Sequence, residues 1–312
     1  MNTTSQQVWL PAQFTSLAGL PTGLRYTHWD GRSAFPSDPA EVEFYVPPLV
    51  QDIGVISRPL ARMTRLKAVQ ALSSGTDELR EKLALLPGHV TLCSARGVHA
   101  RSTAELALTL ILASQRGLPH FIRAQDAGAW APKVFPSLYG QSVLIVGYGA
   151  IGSALEDLLR PFGCVVTRVA RGDRDSPHGP VRSASHLPRL VGEADVVVLA
   201  TPLTSATRHL FDADMLARMK EQALLVNVSR GAVVDTSALQ AETSRGRLRA
   251  ALDVTDPAPL PTGHPLWVGK GTLITPHVGA FTPSLWARLE ELIRRQLKRH
   301  AAGEELENIV PV

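Results

Sequence analysis

From residue 141 onward, short apolar runs alternate with amphipathic segments in a strict rhythm. SVLIVG is followed by AIGSALEDLLRPF and CVVTRVA, and then by ADVVVLA (194–200), ALLVNVS (223–229), LRAALDV (248–254) and TLITP (272–276). Apolar runs of this length suit strands buried on both faces, and intervening stretches such as DTSALQAETSRG suit covering helices. The alternation predicts an α/β fold with doubly wound parallel sheets. Before residue 100 the rhythm is looser. DIGVIS (52–57), LKAVQAL (66–72) and HVTLCS (89–94) predict further buried parallel strands. SSGTDELR (73–80) predicts a tight turn at Gly75 that opens a helix. ARSTAELALTLILASQRGL (100–118) predicts a long buried helix with Glu105 near its positive end. The last segment, SLWARLEELIRRQLKRH (284–300), puts Leu285, Leu289, Leu292, Ile293 and Leu297 on one stripe and stops near Gly303.

Composition narrows the class. A chain of 312 residues is enough for two ordinary domains. The net charge of +4 comes without a concentrated basic stripe, which argues against a nucleic-acid partner. Cys93 and Cys164 sit in apolar segments and read as reduced core residues, not as a disulfide framework or a metal site. AELALTLILAS (104–114) is too short for a bilayer, which needs about 20 residues. The N-terminal stretch has no basic start followed by a long apolar run. The expectation is a soluble cytoplasmic protein without a membrane partner or a metal.

GYGAIG follows a strand directly and opens a helix, a context that gives the GxGxxG spacing its meaning. Gly147 permits the turn, Gly149 lets the backbone approach a pyrophosphate, and Gly152 lets the helix pack on the strand; Ala150 and Ile151 open the helix whose N-terminus attracts the anion. The next strand ends at Ala170, where an acid for the ribose 2′-hydroxyl usually stands about 20 residues on. Arg171 and Arg174 follow instead, in ARGDRD. Guanidinium groups match a phosphate, so the pair favours NADP(H) over NAD(H). The competing reading leaves both arginines solvated and gives the acid's role to Asp173 or Asp175.

VGYGAIG (146–152), ADVVVLATPLTSAT (194–207), LLVNVSRGAVVD (224–235), AALDVTDP (250–257) and TPHVGA (275–280) occur in an order that resembles the D-isomer-specific 2-hydroxyacid dehydrogenases of the glyoxylate/hydroxypyruvate reductase kind. SSGTDEL (73–79) and STAEL (102–106) resemble the same family, whereas the first 60 residues carry little of it. The resemblance implies two Rossmann-like domains with a cleft between them. Residues 1–97 and 284–312 would form a flavodoxin-like substrate domain, and residues 98–283 the dinucleotide-binding domain. It also implies a homodimer acting on a small 2-keto or 2-hydroxy acid.

Such a reaction needs the substrate carboxylate held, the carbonyl polarised and a proton supplied. Arg230, just after a strand in SRG, matches the family's substrate arginine. His277, in TPHVGA, matches its acid/base, a role suited to the side chain that titrates nearest neutral pH. Ser74 and Gly75 match the loop whose backbone amides bind the carboxylate. Thr103 is implied at the nicotinamide end, with a plain helix-start role as the alternative. Thr201, Pro202, Val228, Ser229 and Gly279 would lie along the cofactor, and Asp253 would accept from the nicotinamide carboxamide. Trp267 would wall the substrate pocket, cross a dimer interface or sit in the core.

One expected group is missing. The family carries a glutamate five residues after the strand-end aspartate, where it pairs with the histidine. Here that position is Ala258. Asp256 lies closer to Asp253 and is no obvious substitute. The expectations are therefore a 2-keto acid reductase with weakened acid/base catalysis or, in the alternative, a dinucleotide-dependent binding or regulatory protein with little turnover.

Overall fold

The computed structural model describes residues 6–50, 52–86, 90–269 and 271–310. The chain divides into two compact units, Met1–His99 with Pro283–Val312, and Ala100–Thr282. In chain order the strands of the first segment are β1 (Gln6–Pro11), β2 (Leu24–Trp29), β3 (Val42–Tyr45), β4 (Ala68–Gln70) and β5 (Thr91–Cys93). The middle unit contributes β6 (Ser142–Val146), β7 (Val165–Ala170), β8 (Arg174–Ser176), β9 (Gly179–Ser183), β10 (Val196–Leu199), β11 (Leu224–Asn227), β12 (Arg249–Leu252) and β13 (Thr272–Ile274). The returning segment adds β14 (Ile309–Val310).

In the first unit the strand order is β14-β5-β4-β3-β1-β2, parallel except for β14. The helix Ser284–Ala302 buries Leu285, Leu289, Leu292, Ile293 and Leu297 in one core with Val8, Leu10 and Phe44. Its Gly303 takes a left-handed cap at φ 69°, a conformation that suits a residue without a side chain. Each fully buried leucine on that stripe contributes about 1.5–3 kcal/mol.

The structure corrects the sequence expectation at DIGVIS. It is a short helix, Ile53–Ser57, because the Asp52 carboxylate caps it by accepting from the Gly54 amide at 2.8 Å. Strands that the apolar pattern did not indicate take the sheet positions instead. β1 and β3 carry buried polar residues satisfied by neighbours. Gln7 donates to Thr27 at 2.5 Å, and Glu43 lies 2.8 Å from Arg65 and 2.7 Å from Lys67. LKAVQAL and HVTLCS contain β4 and β5, while His89 lies outside the described residues. Cys93 is buried, but Cys164 is only half-buried and donates to the Leu138 carbonyl at 3.4 Å.

In the middle unit the order is β13-β12-β11-β10-β6-β7-β9-β8, parallel except for the β8–β9 hairpin. The chain starts this sheet at β6, adds β7 on one side and returns to β10 on the other. Its direction of growth therefore reverses between β6 and β10, which is where open α/β sheets bind ligands. No helix of the described residues is long and apolar enough to cross a membrane.

Candidate active site

The glycine turn lies at that reversal. After β6 the chain folds back so tightly that the Gly147 and Tyr148 amides both donate to the Val169 carbonyl at 2.9 Å. Gly147 has φ 93°, and a Cβ there would lie 2.4 Å from the Thr201 amide nitrogen at the end of β10. Only glycine lets the two strand ends approach this closely. A Cβ on Gly149 would meet nothing nearer than 4.0 Å, so the turn leaves open space there. The helix Ala150–Leu159 starts immediately afterwards with no side-chain cap. Its first amides are left for an anion. This bare turn, filled at Gly147 and open at Gly149, fits a dinucleotide pyrophosphate.

The turn after β10 is held by its own side chains: Thr207 Oγ1 donates to the Pro202 carbonyl at 2.7 Å and accepts from the Thr204 amide at 2.7 Å. Beyond β7, Arg171 and Arg174 are both exposed. Arg174 donates to the Tyr148 carbonyl within the glycine turn. Asp173 is occupied within the hairpin, where it accepts from the Ser183 amide at 3.0 Å.

Three neighbouring strands, β11, β12 and β13, lead into turns that carry Arg230, Asp253 and His277. Asn227, at the end of β11, shapes the first turn. Its Oδ1 accepts from the Ser229 amide at 3.0 Å and the Ser229 hydroxyl at 2.7 Å, while its Nδ2 donates to the Arg230 carbonyl at 2.9 Å. Arg230 itself donates to the Ser229 carbonyl at 2.8 Å. Gly231 is required because a Cβ would lie 2.0 Å from the Thr255 carbonyl oxygen. The SRG turn is thus pressed against DVTDPAPLPTGHPLW.

Asp253 is 3% exposed and holds the next turn. Its Oδ1 accepts from the Thr275 hydroxyl at 2.7 Å and the Val278 amide at 2.9 Å, and its Oδ2 accepts from the Gly279 amide at 3.0 Å. The His277 amide donates to the Asp253 carbonyl at 2.8 Å, which fixes His277 at φ 56°. A non-glycine residue in that region is uncommon and marks a conformation imposed by its surroundings. Thr103 packs at the same place: its Cγ2 would be 3.4 Å from a Cβ on Gly279.

His277 keeps solvent contact, yet partial loss of hydration and then the nearby Arg230 guanidinium hold its imidazole below the ordinary histidine pKa, with Asp253 opposing them. Among the described residues no carboxylate hydrogen-bonds that imidazole. Ala258 is exposed. The Asp256 carbonyl accepts from Thr236 at 2.6 Å, and Trp267 is 44% exposed with its indole donating to the Pro261 carbonyl at 3.0 Å, so Trp267 is not a core residue. In the first unit Ser74 is exposed and donates to the Ala95 carbonyl at 3.2 Å, and Ser73 donates to the Gly75 carbonyl at 2.6 Å just before the helix Asp77–Leu83.

Asn227 and Thr275 were missed by sequence reasoning, although each stands inside or beside a recognised motif and its side chain bonds at the turn it precedes. Tyr148, Glu156 and Arg168 were also missed. Burial would raise the Glu156 pKa, but hydrogen bonds from Arg168 and Tyr148 outweigh it and keep the carboxylate ionised.

Residues 108–279 match the family described as D-isomer specific 2-hydroxyacid dehydrogenase, NAD binding domain. The chain is 35% identical over 254 residues to the glyoxylate reductase/hydroxypyruvate reductase of Homo sapiens, covering 77% of this chain and 76% of that one. It is 34% identical over 232 residues to the glyoxylate/hydroxypyruvate reductase B of Escherichia fergusonii, covering 72% and 71%. A D-isomer specific 2-hydroxyacid dehydrogenase from Xanthobacter autotrophicus Py2, solved with NADPH and MES, aligns with a TM-score of 0.82 at 29% identity over 98% of both chains. With its glycine turn at the sheet reversal and an arginine and a histidine in the turns after β11 and β13, on either side of β12, the chain belongs to the D-isomer specific 2-hydroxyacid dehydrogenase family.

Proposed function

We propose that the protein reduces a small 2-keto acid to the D-2-hydroxy acid, and catalyses the reverse oxidation, with NADP(H) favoured over NAD(H). The observation that carries this reading is that Arg230, Asp253 and His277 stand in the turns that follow β11, β12 and β13, adjacent strands of the same sheet as the glycine turn. The bound dinucleotide supplies the hydride. Arg230 grips the substrate carboxylate and draws electron density toward the carbonyl oxygen. Protonated His277 donates from its ring nitrogen to that oxygen as alkoxide charge develops; neutral, it takes the proton back in the oxidation. The amides of Ser74 and Gly75 also bind the carboxylate. Thr103, Thr201, Pro202, Val228 and Ser229 line the cofactor. In this reading residues 1–97 and 284–312 serve the substrate and residues 98–283 the cofactor.

Two exposed guanidinium groups beyond β7, with Asp173 already engaged, support NADP(H), as does the NADPH bound in the Xanthobacter relative. Asp253 has both carboxylate oxygens engaged by the His277 turn, so we assign it chiefly to holding that turn, with any contact to the carboxamide shared. Exposed Leu118, Ile122, Trp130 and Val134, the last two at 98% and 95%, support a homodimer covering that surface, which light scattering tests.

Steady-state turnover of glyoxylate, hydroxypyruvate and phenylpyruvate with NADPH and NADH tests the main reading. A second reading, a dinucleotide-dependent binding protein with little turnover, is favoured by the lack of a carboxylate on the imidazole among the described residues. NADPH binding without turnover of any of the three acids would favour it over the reductase. An NADH preference would overturn the assignment of Arg171 and Arg174.

A further inference from the structure

Tyr148 stands between the first two glycines of the turn, and the reaction above gives it nothing to do. It is nevertheless 4% exposed and surrounded by three charged side chains. Its hydroxyl donates to Glu156 Oε2 at 2.6 Å. Arg168 grips the same carboxylate with two groups, Nε to Oε2 at 2.7 Å and Nη2 to Oε1. The guanidinium carbons of Arg168 and Arg174 lie 5.8 Å and 5.9 Å from the Tyr148 ring centroid. Arg174 also donates to the Tyr148 carbonyl. Gly152 leaves room for the ring, since a Cβ there would lie 3.3 Å from Tyr148 Cδ2 and 2.9 Å from Ile145 Cγ2.

The two arginines differ in what they leave over. Arg168 is matched by Glu156 in a largely buried bidentate pair. No carboxylate pairs with Arg174 among the described residues. Its backbone is fixed at the start of β8, opposite Val181, and Asp173 ties the hairpin closed. An arginine at an exposed strand end would otherwise sample many rotamers, and ordering it on binding weakens affinity. An aromatic face and a backbone carbonyl together restrict the guanidinium beforehand and leave most of its N–H donors for an anion.

We propose that Tyr148 is a specificity-determining positioning residue: its ring and carbonyl, fixed by Glu156 and Arg168, hold Arg174 ready for the 2′-phosphate of NADP(H). This rests on the NADP(H) reading above and adds how the selectivity is set.

The test is equilibrium binding of two nicotinamide-free probes, 2′,5′-ADP and 5′-ADP, by calorimetry on the full chain, beside the KM values for NADPH and NADH. Tyr148→Leu weakens 2′,5′-ADP relative to 5′-ADP by roughly 2- to 10-fold, the range for losing one pre-ordered side chain. Tyr148→Phe keeps the ring but loses the bond to Glu156, so it retains more of the discrimination than Tyr148→Leu. Tyr148→Met carries the same test if the leucine variant does not fold. Equal weakening of both probes, or of neither, while Arg174→Ala still weakens 2′,5′-ADP, overturns the positioning role and leaves the NADP(H) reading standing. If Arg174→Ala leaves 2′,5′-ADP binding unchanged, Arg174 is not a ligand of the 2′-phosphate and this proposal fails, while the NADPH-to-NADH KM ratio decides the NADP(H) reading separately.

Discussion

The turns after β6 and β13 occupy corresponding ends of one sheet, but different forces hold them. At Gly147 the backbone does the work: two amides share one carbonyl, and the neighbouring strand end leaves no room for a Cβ. At His277 a single buried side chain, Asp253, holds the turn through three donors. A backbone-held turn tolerates many surrounding side chains but not one added carbon. A turn held by a carboxylate is sensitive to one change of charge or donor count. The nucleotide end is thus a matter of shape, and the acid/base end a matter of electrostatics.

The sharpest break of that comparison comes at the acid/base end. His277→Ala is expected to lower kcat for keto-acid reduction about 10²- to 10⁴-fold, the usual worth of a positioned proton donor, with the KM for NADPH nearly unchanged. A KM change alone would assign His277 to binding.

Gly147→Ala tests the other end. The added carbon meets the Thr201 backbone at a positive φ, so the strand ends must separate. The expected result is loss of dinucleotide binding by more than about tenfold together with about 1–3 kcal/mol of stability, read by calorimetry and urea unfolding.

Asp253→Asn changes one oxygen to an NH₂ in a pocket of donors, so at least one of the Val278, Gly279 and Thr275 partners loses its acceptor or must reorient. The expected cost is about 1–3 kcal/mol in urea unfolding, with a fall in kcat. Unchanged stability would show that the turn holds without the carboxylate.

The smallest effect concerns pH. Reduction uses protonated His277, so its rate falls as pH rises through the imidazole pKa, which here lies below the ordinary histidine value. Ala258→Glu supplies a carboxylate that favours the charged ring and should move this falling limb to higher pH by about 1–3 units. Superimposable pH–rate profiles for the two proteins would end the view that Ala258 weakens acid/base catalysis.

Legibility followed the same division. GYGAIG, SRG and TPHVGA stood out because backbone geometry dictates short local strings. The seven parallel strands of the middle unit announced themselves through apolar-rich runs, broken in β7 by Thr167 and Arg168, except β9 in its hairpin. β1, β2 and β3 did not, because Gln7, Glu43 and the polar residues of LRYTHW interrupt the pattern and find partners far along the chain. DIGVIS misled because six apolar-rich residues suit either state, and Asp52 as a cap decided for a helix. Tyr148 was invisible as a positioning candidate because Glu156, Arg168 and Arg174 come from a helix, a strand and a hairpin.

By itself the sequence determined the α/β class, the glycine turn and the order of the motifs, since periodicity and local turn chemistry are properties of neighbours in the chain. Only the tertiary structure decided that Asp253 clamps the His277 turn, that burial and then Arg230 depress the imidazole pKa, and that no carboxylate hydrogen-bonds the ring among the described residues. Those are through-space properties: hydrogen bonds and charge act over a few ångströms, and the strand ends that carry these groups are adjacent only once the sheet has formed.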